Sequence, residues 1–217
     1  MKEVFKMGKL FFYSDQVVES FGNQRLDHML FDSRNTKNTK IGYIPSTEDR
    51  EKTYFDIKTQ YYRRYGVQDF MFFDLYSEFD SSKIDELAEC DILHLSAGNP
   101  IKFRNAIEHR KMDKFLRDFF NQGGTVVGVS GGGVQLGKSI KLFQIFTGDS
   151  DNELEGLQLV DFEFLPHYNR WNEDYKEAVR SYAENTGTTV YAANDGDGIL
   201  VEEGEIQIVG DIAMIDG

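Results

Sequence analysis

The stretch Thr125-Val126-Val127-Gly128-Val129-Ser130-Gly131-Gly132-Gly133 decides how the chain is read. Its β-branched first half predicts a buried strand. Its second half fits Gly-x-Ser-x-Gly, with Gly128, Ser130 and Gly132 in the fixed positions. In that pattern a strand turns sharply into a helix and carries a serine at the apex. The side chains two residues away would collide, so glycine is required there. The serine oxygen then stands free at the carboxyl edge of a sheet. The N–H of Gly131, at a helix N-terminus, can face a developing oxyanion. The same residues could form a glycine-rich turn that only packs closely or cradles a phosphate. Taken alone, the stretch leaves both readings open.

The flanking sequence supplies the context. Apolar runs at Lys9–Tyr13, Lys40–Ile44, Asp69–Leu75, Asp91–Leu95 and Thr125–Val129 alternate with segments of helical spacing near 23–30, 53–65, 84–88 and 101–121. Near-continuous apolar strands separated by helices predict a parallel sheet covered on both faces. Ligands bind such sheets at the carboxyl ends of the strands. Ser130 falls at one such end, and Ala97-Gly98-Asn99-Pro100 at another. Beyond the elbow, the spacing predicts a helix over 134–146, an alternating strand over 157–164 and a helix over 175–184. A strand over 189–193 and a closing hairpin around Glu203-Gly204 complete the chain.

Composition narrows the function. The 217 residues carry a net charge of −13, which argues against a nucleic-acid partner. No apolar run reaches the ~18 residues that span a membrane. One cysteine, Cys90, cannot form an internal disulfide and fits a cytoplasmic setting. A nucleophilic serine needs a base, and the chain has four histidines. His28 lies in a charged helical segment, His94 inside a strand and His109 in the basic cluster His109-Arg110-Lys111. His167 follows Pro166 where an apolar strand leaves the sheet, the position suited to chemistry.

Gly128-Val129-Ser130-Gly131-Gly132, Ala97-Gly98-Asn99 and Leu165-Pro166-His167-Tyr168 together resemble the peptidase E family of serine peptidases. That family includes aspartyl dipeptidase, with cyanophycinase as a relative. The resemblance runs from about Lys9 to Val209. It implies a flavodoxin-like three-layer α/β sandwich, related to the class I glutamine amidotransferases, in a single domain over 1–217. It implies a serine hydrolase cutting a dipeptide, short peptide or related amide without metal or organic cofactor, as a monomer or homodimer. Ser130 then matches the nucleophile, His167 the general base, and Gly98 and Gly131 the oxyanion donors. Asp195 matches the acid, with Asp149 second and Asp197 third. Asn99, Tyr168 and Arg170 are the expected substrate contacts.

The chain also departs from the family pattern. Pro100 replaces a threonine, Ala97 a glycine, and Gly131 the alanine after the serine, which predicts a looser elbow. The arginine-bearing segment tied to aspartyl preference is here Asn172-Glu173-Asp174-Tyr175-Lys176-Glu177, so Lys176 or Arg170 would have to stand in. A second reading follows from these departures: a catalytically silent binding protein that retains the fold.

Overall fold

A computed structural model describes residues 7–32, 34–148 and 154–217. Strand β1 (Lys9–Tyr13) is an interior strand of a seven-stranded sheet, and every residue from Leu10 to Tyr13 is fully buried. The sheet also holds β2 (Lys40–Ile44), β3 (Asp69–Phe72), β4 (Ile92–Leu95) and β5 (Thr125–Val129). With β8 (Gly198–Glu202) and β9 (Glu205–Val209) the order is β3-β2-β4-β5-β1-β8-β9. The first five in that order run parallel, and β8 and β9 are antiparallel to their neighbours.

The period of two along the strands splits the core. Leu10, Phe12 and Val126 point into a cluster with Phe103, Ile107 and Leu116. Those partners come from α4 (Pro100–His109) and α5 (Asp113–Asn121). Phe11, Tyr13 and Val127 point the other way, onto Leu26, Leu30 and Tyr62 of α1 (Phe21–Phe31) and α2 (Thr53–Arg63). A short helix, α3 (Ile84–Ala88), adds Leu87 to the first face. Helices therefore cover both faces, as the alternation predicts.

A second sheet of three strands, β10-β7-β6, stands beside the first. It comprises β6 (Glu163–Leu165), β7 (Val190–Ala193) and β10 (Ile212–Ile215). Helix α8 (Glu173–Thr186) crosses between the parallel strands β6 and β7, and packs with α7 (Lys141–Thr147) around Leu142, Tyr175 and Val179. Phe12 of the large sheet meets Phe162 and Phe164 at 5.4 and 5.2 Å, joining the two layers.

Four expectations are corrected. The amphipathic segment over 101–121 is two helices, because Lys111 takes a left-handed φ of 58° and buried Met112 begins a new direction. The helix opened by the elbow stops early: α6 covers Gly131–Leu136, and α7 starts at Lys141. The alternating run over 157–164 pairs as a strand only at its end. Leu157 and Leu159 instead donate their N–H groups to Gln135 and Leu136, satisfying carbonyls left over at the end of α6. Strand β10, not expected at all, pairs with β7. The hairpin β8–β9 does turn at Glu203 and Gly204, both with positive φ, the geometry of a two-residue type I′ turn.

Candidate active site

Ser130 occupies the step between β5 and α6 with φ 49° and ψ −116°. A non-glycine residue in such a region costs on the order of 1–3 kcal/mol and persists only where its surroundings fix it. The fixing is visible. The Ser130 N–H extends the sheet by donating to the Tyr13 carbonyl at 2.8 Å, and the Ser130 carbonyl accepts from Val134 at 3.1 Å. The glycines hold the turn by proximity. A Cβ on Gly131 would lie 2.0 Å from the Gly98 carbonyl oxygen, and one on Gly132 would lie 2.1 Å from that of Leu95. The elbow is thus wedged against the loop after β4, and the expectation that Gly131 loosens it is reversed. Alanine at 131 would not fit without moving Gly98.

Gly98 has φ 150°, a backbone that disfavours any side chain. Its N–H donates to no partner among the described residues, nor does that of Gly131 at the first turn of α6. Pro100 sits at the first position of α4, where a missing N–H costs nothing. Its replacement of threonine leaves the loop intact.

His167 follows β6, and Asp195 follows the adjacent parallel strand β7. Ser130 Oγ lies 2.8 Å from His167 Nε2, and His167 Nδ1 lies 2.7 Å from Asp195 Oδ1. An ionised carboxylate can only accept, so the imidazole proton belongs on Nδ1 and Nε2 is left to accept from the serine hydroxyl. The histidine backbone is itself left-handed, with φ 61°, and is held by its N–H donating to Ser14 Oγ at 2.7 Å. Ser14 in turn donates to the Ala193 carbonyl at 3.1 Å, so the end of β1 ties both partner strands together. Asp195 is 23% exposed, and burial alone would raise its pKa. Hydrogen bonds from His167, Arg170 and Asn169 outweigh burial and hold its carboxyl below the usual range.

The other expected residues are placed as follows. Asn99 caps α4, its Oδ1 accepting from Lys102 N at 3.0 Å. Tyr168 packs against the α7–α8 cluster with Lys176 Nζ 4.7 Å above its ring. Arg170 pairs with Asp195 through Nε and approaches Asp15 Oδ2 at 3.5 Å. Lys176 pairs with Glu173 at 3.0 Å. None of these four lines the hollow at Ser130. Asp197 accepts from Asp211 N at 3.0 Å and stands outside the Ser130–His167–Asp195 chain. Asp149 lies outside the described residues.

Residues that sequence reasoning passed over do much of the bracing. Asn169 donates to Asp195 Oδ2 at 3.1 Å and accepts the Asp195 N–H at 2.9 Å. Asp15 accepts from Gly196 N at 2.7 Å, fixing the acid's turn. The only prior signal for Ser14 and Asp15 is their place at the carboxyl end of β1.

Asp15, His167 and Asp195 bring three potential metal-ligand atoms within 4.8 Å of one another. His167 Nδ1 is already committed to Asp195, and the Arg170 guanidinium already supplies positive charge to both carboxylates. The arrangement suits proton transfer better than cation binding. A larger hollow of about 330 Å³ between Phe120, Phe162 and Tyr191 bears no histidine.

A buried parallel sheet that presents a strained serine to a carboxylate-backed imidazole defines a class, the serine-type hydrolases on α/β sheets. The model of peptidase family S51 matches residues 11–209, and the chain belongs to that family. It is a peptidase. Among solved structures, a candidate peptidase E protein from Listeria monocytogenes EGD-e is similar with TM-score 0.72 and 23% identity, over 93% of this chain and 98% of that one. A peptidase from an acI-B1 Actinobacterium is similar with TM-score 0.74 and 16% identity, over 98% and 92%. At these identities the two show the fold. No curated protein matches the chain. No helix among the described residues is long and apolar enough to cross a membrane.

Proposed function

We propose that the protein hydrolyses dipeptides or similarly short peptide amides, with Ser130 as nucleophile, His167 as general base, Asp195 as its orienting acid, and Gly98 and Gly131 as oxyanion donors. The observation that carries this reading is the unbroken hydrogen-bonded run from Ser130 Oγ through both imidazole nitrogens to Asp195. A ring turned away from the serine would have favoured the binding-only alternative.

In the forward step Ser130 Oγ bonds to the substrate carbonyl carbon while its proton passes to His167 Nε2. The carbonyl oxygen takes the negative charge and meets the free N–H groups of Gly98 and Gly131, each such donor lowering the barrier by ~3 kcal/mol. The C–N bond then breaks, and the leaving amine departs with the proton from Nε2. Water repeats the sequence: its proton goes to Nε2, its oxygen bonds to the acyl carbon, and the Ser130 ester bond breaks with return of the proton to Oγ. Asp195 remains ionised throughout, holding the Nδ1 proton and stabilising the transient imidazolium. A buried, unpaired Cys90 fits action in a reducing cytoplasm.

The test is a fluorophosphonate probe with intact-mass readout. Wild type is expected to gain one adduct at Ser130, and Ser130→Ala none. Equal labelling of both, or no labelling of wild type, would overturn the assignment.

A further inference from the structure

A cleft of about 90 Å³ opens directly onto Ser130, His167 and the Gly98–Gly131 pair. Its far walls are apolar: Val134 from α6, Leu142 and Phe143 from α7, Phe164 from β6, Trp171 just before α8, and Tyr175 in the first turn of α8. The walls are built rather than incidental. Trp171 Nε1 donates to the Pro166 carbonyl at 2.8 Å, and Tyr175 Oη donates to the Leu142 carbonyl at 2.6 Å. Each polar end is thereby turned into the protein, and the ring bodies are left to form the surface. The Trp171 and Tyr175 rings meet edge to face at 4.9 Å, which fixes both. The volume holds several waters, and so a side chain of a few heavy atoms.

No lysine or arginine lines this cleft among the described residues. The two cations that sequence reasoning put forward for an acidic side chain are committed elsewhere, Arg170 to Asp195 and Asp15, Lys176 to Glu173 and the Tyr168 ring. A carboxylate pushed between Leu142, Phe143 and Trp171 would lose its water and gain no counter-charge.

We infer that the cleft selects an apolar side chain on the residue that supplies the acyl carbon. The acyl residue is the one concerned because its Cα is bonded to the carbon that Ser130 attacks. With the carbonyl oxygen at Gly98 and Gly131, that side chain is the first to reach a hollow opening at the serine. The leaving residue begins beyond the scissile nitrogen, on the side of His167. The inference rests on the hydrolase reading above and replaces aspartyl preference with preference for leucyl- or methionyl-type substrates.

The experiment is a matched dipeptide series in which Leu, Met, Ala, Gly, Asp and Glu are varied at the acyl position with one common leaving residue. A second series varies the leaving residue. One methylene in a fitted apolar pocket is worth on the order of 10-fold or more in kcat/KM. Leucyl and methionyl substrates are therefore expected to exceed glycyl by on the order of 100-fold, with aspartyl at or below glycyl. Phe143→Arg, at a half-buried wall position, is expected to narrow the leucyl-to-aspartyl ratio at least ~10-fold, since it places a counter-charge in the cleft. Best turnover of aspartyl substrates, indifference at the acyl position, or a preference confined to the leaving position would overturn the inference. Fluorophosphonate labelling in the same preparations separates the two failures. A labelled enzyme without apolar preference sinks the pocket assignment alone, and an unlabelled enzyme that cleaves nothing sinks both.

Discussion

His94 and His167 make the same first contact and have opposite fates. Each places one ring nitrogen 2.8 Å from a hydroxyl, Tyr62 for His94 and Ser130 for His167. The difference lies at the other nitrogen and in access to water. His94 is fully buried in β4, stacked on Tyr43 at 5.1 Å, and its Nε2 has no hydrogen-bond partner among the described residues. Burial, and secondarily the charge of Lys58, hold it neutral far below the usual histidine range. His167 keeps 19% of its side chain exposed, and its Nδ1 is backed by a carboxylate. A charged imidazole is stabilised where a carboxylate faces it, and of these two rings only His167 has one among the described residues. A histidine beside a hydroxyl is therefore not by itself a base.

Two substitutions break this comparison most sharply. His167→Ala should lower kcat/KM by ~10⁴-fold or more, since the base and nucleophile act as a unit. Its melting temperature should change less than that of His94→Ala, because the ring keeps 19% of its side chain exposed at the mouth of the cleft. His94→Ala should do the reverse. Activity per folded molecule is retained, while stability falls by about 2–4 kcal/mol from the cavity and from the Tyr62 hydroxyl, which keeps only the hydrogen bond it accepts from Gln16. Steady-state kinetics and denaturant unfolding on both variants decide the matter, and a loss of turnover in folded His94→Ala would erase the distinction.

Asp195→Asn tests the second nitrogen directly. The amide can no longer force the proton onto Nδ1, and kcat should fall by ~10³–10⁴-fold with the fold intact. Gly131→Ala probes the other half of the site. Its added methyl would meet the Gly98 carbonyl, displacing the two N–H groups proposed as oxyanion donors, and kcat should fall by ~10²–10³-fold with little change in KM. Turnover of Gly131→Ala at the wild-type rate would show that the wedge between Gly98 and Gly131 does not set the donors.

Much of this was legible in the chain itself. The parallel sheet showed in the unbroken apolar runs, and Ser130 in a glycine-flanked turn whose reading as an elbow needed the segments around Gly98 and His167 beside it. His167 stood out by elimination and by its place at a strand end. What stayed hidden shares one physical character: it depends on partners far apart in sequence. Ser14 reaches His167 and Ala193 across more than 150 residues, as separations of 153 and 179 positions show. The breaks at Lys111 and after Leu136 escaped because helical spacing continued through them, while tertiary contacts set the turns. Arg170, which the family resemblance offers as a substrate contact, also braces Asp195 and Asp15. No local pattern distinguishes a free guanidinium from one held between two carboxylates.

The divide between the two histidines recurs between two acids. Asp195 is partly wet and held ionised by three donors, whereas Glu163 on β6, four residues before His167, is 1% exposed. Burial pushes the Glu163 carboxyl up to about 7 despite hydrogen bonds from Ser139 Oγ at 2.6 Å and Tyr182 Oη at 3.2 Å. The folded state thus binds a proton that the unfolded chain, at the ordinary value of 4.5, releases earlier. The linkage has a definite sign: this group's contribution is fully present below the unfolded pKa and is lost as pH rises through the folded one. Glu163→Gln keeps an acceptor for both hydroxyls and does not titrate. The stability of the variant relative to wild type should therefore rise between about pH 4.5 and pH 7 and level off above, by up to about 3 kcal/mol. Every other titrating group is common to both proteins and cancels in that difference, and any fixed cost of the amide only offsets the curve. Urea unfolding of both proteins at several pH values reads it. A flat difference would place the Glu163 carboxyl in the ordinary range, and with it would remove the contrast between an acid raised by burial inside β6 and the lowered one at the end of β7.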